Sequence, residues 1–224
     1  MRIDFVTLFP EMFASVMDAS IMARARQKGL LSWGCVNPRD FSRDKHRKVD
    51  DRPFGGGPGM LMMAEPMAEA IGSVKKKGAR VVFLSPQGDV FNDSAAVRLA
   101  KEKRLVLVCG HYEGIDERVL DLADEELSIG DYVLTGGELP AMVVADAVTR
   151  RLPGVLKKGD ALVRESFAAG VLDFPQYTRP RVWRGREVPE VLFSGDHAKI
   201  AEWRRKAALR ATRRKRPDLI ERAN

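Results

Sequence analysis

Residues 79–114 read ARVVFLSPQGDVFNDSAAVRLAKEKRLVLVCGHYEG, and two apolar runs in that stretch decide the fold. Ala79 to Leu84 and Leu105 to Cys109 are nearly unbroken, which is the pattern of strands covered on both faces in a parallel sheet. Between them Asn92 suits the cap of a helix that the pattern carries to about Lys103. Strand, helix and strand, each strand followed by a glycine-bearing loop, form an α/β unit with its ligand crevice expected at the strand ends.

The same alternation extends in both directions. Ile3 to Phe9 reads as a strand, Glu11 to Lys28 as a helix and Leu31 to Val36 as a second strand. Arg39 to Met63 is a long polar, glycine-rich loop of the kind kept for function. Glu65 to Lys77 is helical with a cationic end, Ile115 to Ala123 a short helix and Tyr132 to Leu134 a further strand. A helix from Glu138 to Arg150 is stopped by Pro153 and Gly154. The fold class is therefore α/β with a mainly parallel sheet over residues 1–156. Lys157 to Pro175 lacks periodicity and reads as an interdomain linker that orders with RNA. Residues 176–224 form a smaller, mostly helical domain. Its main helix, Ser194 to Arg216, sets Ile200, Trp203, Ala207 and Leu209 to Ala211 against a basic side.

Composition narrows the function classes. Hydrophobic residues make up 45% of the 224 and charged residues 31%, enough for a core and unlike a disordered chain. Cys35 and Cys109 stand far apart in strand-like segments with only three histidines in the chain, which disfavours a zinc or disulfide framework and leaves buried reduced thiols. No segment resembles a signal peptide and no apolar run approaches the roughly 18 residues of a membrane span, so a cytoplasmic protein is expected. The net charge of +7 is concentrated at one end: Arg179 to Asn224 holds 14 Lys and Arg against 6 Asp and Glu, leaving 24 against 25 in the remainder. A basic patch of this kind is the footprint of phosphate neutralisation. Arg204, Arg205, Arg213, Arg214 and Lys215 are its candidate phosphate contacts.

Three loops follow apolar runs: Ser85 to Gly88, Gly110 to Gly114, and Ser128 to Gly137. Their glycines let backbone approach a small molecule, and free amides and carbonyls can read an adenine edge. The run Gly55, Gly56, Gly57, Pro58, Gly59 has no Lys followed by Ser or Thr and follows a polar loop rather than a strand. It is neither a P-loop nor a dinucleotide fingerprint. It is suited instead to admitting a flat base, with Gly55, Gly56, Gly57 and Gly59 as candidate substrate contacts.

Arg52 to Met60, Leu84 to Gly88, Gly110 to Arg118, Ser128 to Gly137 and Leu172 to Pro180, in that order, resemble the motifs of bacterial tRNA (guanine-N1)-methyltransferases, which modify the guanosine immediately 3′ of the anticodon. The resemblance spans nearly the whole chain. It implies a deep trefoil knot in the C-terminal part of the catalytic domain, a homodimer whose active sites combine both subunits, transfer RNA as substrate and S-adenosylmethionine as methyl donor. The implied cofactor contacts are Leu84, Ser85, Pro86 and Gln87; Gly110, Tyr112, Glu113 and Gly114; and Ser128, Ile129, Gly130, Tyr132, Leu134, Gly136, Gly137 and Pro140. The family also implies a need for Mg2+, for which the sequence shows no dedicated oxygen-ligand cage.

Methyl transfer to guanine N1 removes the N1 proton and builds negative charge on O6, so a carboxylate and a cation are required. Glu165 and Arg150 match the family's positions for those roles. Glu165 stands where the family carries aspartate before the matching Ser166 and Phe167, and Asp173, also placed in the substrate site, is the rival base. Two other readings stay open. A non-catalytic RNA-binding protein would bind no S-adenosylmethionine, and a related knotted enzyme acting on ribose 2′-oxygens would need no N1 base.

Overall fold

Leu105–Cys109 is fully excluded from solvent at all five residues. It is the centre of the computed structural model, which describes residues 1–156, 165–168 and 170–221. The strands are Arg2–Val6 (β1), Ser32–Val36 (β2), Asp50–Asp51 (β3), Leu61–Met62 (β4), Ala79–Val90 (β5), Arg104–Cys109 (β6), Glu125–Ser128 (β7), Val182–Trp183 (β8) and Arg186–Glu187 (β9). The helices are Ala14–Met17 (α1), Ser20–Gln27 (α2), Ala64–Val74 (α3), Asp93–Leu99 (α4), Glu138–Thr149 (α5), His197–Lys215 (α6) and Asp218–Glu221 (α7). They fall into two compact units, Met1–Lys157 and Lys158–Asn224.

In the first unit five strands form one parallel sheet in the order β2-β1-β6-β5-β7. Successive side chains on a strand point to opposite faces, and here both faces are covered. Leu105, Leu107, Val82 and Leu84 pack with Phe13, Ala141, Val144 and Val148 in one core. Val106, Val108, Val81 and Phe83 pack with Met67, Ala70 and Ile71 of α3 in the other. The unbroken apolar runs follow directly from this double covering. Among the described residues no helix is long and apolar enough to cross a membrane.

Several expected elements are shorter or different. The helix expected over 11–28 is broken into a 3-10 turn at Pro10–Met12, α1 and α2, with Ala19 extended between them. Asp18 and Ser20 favour caps over helix interiors, and the Asp18 carboxylate accepts from Trp33 Nε1 at 3.1 Å. The helix expected to reach Lys103 ends at Leu99, and the one expected over 115–123 is a 3-10 helix, Glu117–Leu122. Tyr132 to Leu134 is not a strand: its apolar side chains are exposed in a loop. The helix expected over 194–216 runs His197–Lys215, its first turn capped by Asp196, which accepts from Ala198 N and Lys199 N at 3.1 Å. Its buried residues are Ala207, Ala208 and Thr212 rather than the wider apolar side expected. The second unit also holds a small β8–β9 hairpin.

Strand β7 was not expected at all, because Glu125 and Glu126 hide it. Glu125 accepts from Arg80 Nε and Arg98 Nη1, each at 3.0 Å. Burial raises its pKa, but the hydrogen bonds from Arg98 and Arg80 outweigh this and hold the carboxyl below its ordinary value. Such a group binds its proton more weakly folded than unfolded. Its stabilisation is present above the ordinary glutamate range and is lost as pH falls through the folded value. Glu125→Gln is accordingly expected to cost about 1–2 kcal/mol at neutral pH, the gap from the parent closing below about pH 4. Urea titrations at several pH values check this; a gap of constant size would remove the ion pairs from the account.

Candidate functional site

The excursion that opens the site is written in the register of β5 and β7. Leu84 and Asp89 both pair with Leu127, so residues 85–88 form a bulge within β5 between them. Ser85 Oγ donates to Glu126 Oε1, and Gln87 N donates to Ser85 Oγ at 3.0 Å, which fixes the bend. The second loop leaves β6 at Gly110, with Tyr112 in the left-handed region at φ 59°. The third, residues 129–137, joins β7 to α5. Gly137 N donates to Gly110 O at 2.8 Å and His111 bridges to Gly136, so the second and third loops are stitched together.

Closeness of this kind requires glycine at 137. A Cβ there would lie 2.7 Å from Cys109 Cα and 2.9 Å from Gly110 N, both backbone atoms at the end of the central strand. The start of α5 is held from below by Glu138, only 2% exposed, which accepts from Thr7 Oγ1 at 2.8 Å. A buried carboxylate requires such a partner.

The three loops enclose a cavity of about 540 Å³, within the size range of small-molecule sites. Every residue that the resemblance marks as a cofactor contact lines it. The lining also includes residues outside the three expected loops, among them Glu117, Leu120 and Glu126. The lining holds three glutamates, Glu113, Glu117 and Glu126, and no Lys or Arg. That charge favours a cationic ligand over a phosphorylated one.

The glycine-rich run lies between β3 and β4, which pair antiparallel. Gly55, Gly56, Gly57 and Gly59 all have positive φ. Gly59, at φ 83°, is the one packed closely, since a Cβ there would come 2.7 Å from Glu113 Cδ. Glu113 N donates to Met60 O at 3.0 Å and Met62 N to Gly114 O at 2.9 Å, so this run is tied to the rim of the cavity.

Arg150 caps the C-terminus of α5 in the first unit, and Glu165 begins a half-buried turn in the second. Ser166 Oγ accepts from Asp173 N at 2.9 Å, and the Asp173 carboxylate accepts from Phe174 N and from Gln176 Nε2, both at 2.8 Å. Leu172 N donates to Thr212 Oγ1 of α6 at 3.0 Å. The rest of the expected linker, residues 157–164 and Ala169, lies outside the described residues. Arg205, Arg213, Arg214 and Lys215 are exposed on α6, whereas Arg204 is half-buried with its guanidinium 4.9 Å from the Phe174 ring.

Burial pushes the Cys109 thiol well above its usual value, with the Glu138 charge adding to it, and burial with Asp4 pushes Cys35 up to about 12. Among the described residues no group of three or more His, Cys, Asp or Glu could hold a metal ion.

A sequence model of the family described as tRNA (Guanine-1)-methyltransferase TrmD matches residues 1–222. The tRNA (guanine-N(1)-)-methyltransferase of Moorella thermoacetica is 57% identical over 229 residues, covering 100% of this chain and 92% of that protein. That of Dictyoglomus turgidum is 54% identical, covering 100% and 91%, and that of Caldanaerobacter subterraneus is 55% identical, covering 100% and 93%. With the family matched across almost its whole length and the loops built around one acidic cavity, the chain belongs to the tRNA (Guanine-1)-methyltransferase TrmD family.

Proposed function

We propose that the protein transfers a methyl group from S-adenosylmethionine to N1 of the guanine immediately 3′ of the anticodon, position 37, in transfer RNA. The observation that carries the reading is the charge of the cavity at the strand ends. S-Adenosylmethionine has a sulfonium and an ammonium, and the lining offers three glutamates with no competing cation. Leu84, Ile115 and Leu120 supply apolar wall for an adenine, and the loop backbone supplies its hydrogen-bond partners. The loops at 84–87, 110–114 and 128–140 would hold the cofactor, whose sulfonium supplies an electrophilic methyl group. Family membership and the stitching of the second loop to the third support a trefoil knot here, and family membership supports a homodimer with shared active sites and a cytoplasmic place of action. We carry the family's Mg2+ requirement with no residue assigned to it.

In this reading residues 1–156 hold the cofactor, residues 176–224 bind RNA, and Glu165 acts from the linker, 157–175, between them. The Glu165 carboxylate would take the proton from guanine N1, leaving the N1 electron pair free to accept the methyl group as its bond to the cofactor sulfur breaks and the sulfur leaves as a neutral thioether. The Arg150 guanidinium offsets the negative charge that builds on O6. Gly55 to Gly59 leave room for the flat base beside Glu113.

Incubation of unmodified transfer RNA with the protein and S-adenosylmethionine, followed by nucleoside analysis, is expected to yield 1-methylguanosine. Ribose 2′-O-methylation, or no methylation with no cofactor bound, would overturn the proposal.

The basic helix makes a separate prediction. Arg205, Arg213, Arg214 and Lys215 form no salt bridge among the described residues, while Lys199, Lys206 and Arg216 do. Neutralising any of the four is expected to weaken binding alike for cognate and non-cognate RNA and to lower the salt slope by about 1. An unchanged slope would make the helix an ordinary solvated face.

A further inference from the structure

A second cavity, of about 530 Å³, lies wholly within the second unit, walled by residues 174–179, Arg181, Val188, Leu192, Phe193, Ile200 and Arg204. Its charge is opposite to that of the first. Arg179, Arg181 and Arg204 line it and no Asp or Glu does. None of the three forms a salt bridge with a described residue, and Arg204 Nε has no hydrogen-bond partner. Two of the guanidiniums lie against aromatic rings, Arg204 at 4.9 Å from Phe174 and Arg181 at 4.7 Å from Phe193. Stacking orients a guanidinium while leaving its in-plane donors for a ligand. Tyr177, half exposed on the wall, is backed by the Trp203 ring at 6.4 Å.

We infer that this cavity receives one unpaired nucleotide of the RNA substrate, other than the guanine that is methylated. The inference rests on the transfer RNA reading above. A duplex backbone is met by an open basic face, such as the exposed cations of α6. A concave site of this volume, with a half-exposed tyrosine and arginines lacking carboxylate partners, suits a base splayed out of the stack with its phosphate attached. Tyr177 offers the stacking face and the arginines hold the phosphate. Neither function requires Watson–Crick readout, so the site positions the RNA rather than reading its sequence.

The test uses the full chain and transfer RNA. Tyr177→Ala and Arg204→Met, the second keeping an apolar stem on Phe174, are expected to weaken RNA binding about 5- to 100-fold. S-Adenosylmethionine affinity should be unchanged, because its cavity is lined by residues of the first unit alone. Tyr177→Phe, which keeps the ring, should restore binding, and a merely structural role for the hydroxyl would not allow that. With 5-bromouridine in the unpaired positions of the RNA, photo-cross-links should fall on the peptide containing Tyr177. Guanosine monophosphate should bind the parent and lose affinity in Tyr177→Ala; inorganic phosphate bound equally well in both would overturn the assignment to a nucleotide. Unchanged RNA affinity in the two variants, both folded by circular dichroism, would overturn the cavity while leaving the catalytic reading intact. A parent protein that forms no 1-methylguanosine would instead sink the catalytic reading.

Discussion

Glu165→Gln is expected to slow single-turnover methyl transfer by about a hundredfold or more, while S-adenosylmethionine binds as before. The amide is nearly isosteric with the carboxylate and cannot take the N1 proton, and general-base contributions are on the order of a hundred- to ten-thousand-fold. Cofactor affinity should be spared because the cavity lies in the first unit and Glu165 in the second. Glu165→Asp should retain much of the rate, since it keeps a carboxylate and shortens its reach by only one methylene. Asp173 is the rival, but its carboxylate already accepts from Phe174 N and Gln176 Nε2, so Asp173→Asn is expected to disturb the turn before the chemistry. A Glu165→Gln enzyme with a normal single-turnover rate, beside a large rate loss in a folded Asp173→Asn, would transfer the role.

The second large effect is expected from one methyl group. Gly137→Ala places a Cβ 2.7 Å from Cys109 Cα, and the strand cannot retreat because β1 and β5 flank it on either side. The third loop must move instead, breaking the bond from Gly137 N to Gly110 O that shapes the cavity. Overpacking of this kind costs about 1–3 kcal/mol, and S-adenosylmethionine affinity should fall at least about tenfold. Calorimetric titration with the cofactor and a thermal melt check both. Parent-like binding would show that the two loops part without consequence.

The parallel sheet was legible because strands buried on two faces need continuous apolar runs, and Val81 to Leu84 and Leu105 to Cys109 supply them. Strand β7 was not, since Glu125 and Glu126 sit at the sheet edge and meet their partners only through the fold. The strand expected at Tyr132 to Leu134 failed for the converse reason: its apolar side chains border a cavity rather than a core. Loops rich in glycine pointed to the strand ends, and family motifs supplied which of their residues to watch. The acidity of the cavity was invisible, because Glu113, Glu117 and Glu126 converge only after β5, β6 and β7 align. Likewise Glu138 looks like an ordinary first-turn glutamate until Thr7 arrives from 131 residues away.

That distance, and the placing of β1 against β6, sets an order of events on the ribosome. Residues 2–6 leave the exit tunnel early, but their central neighbour is residues 104–109. Synthesis of the intervening hundred or so residues takes on the order of 5–20 s. Until β6 is made, β2 is the only sheet neighbour that Ile3, Phe5 and Val6 can gain, and the acceptor for Thr7 has yet to be made. Nascent chains stalled before residue 104 should therefore be protease-sensitive and engage holding chaperones. Protection should begin only after β6 has emerged and become complete once α5 delivers Glu138.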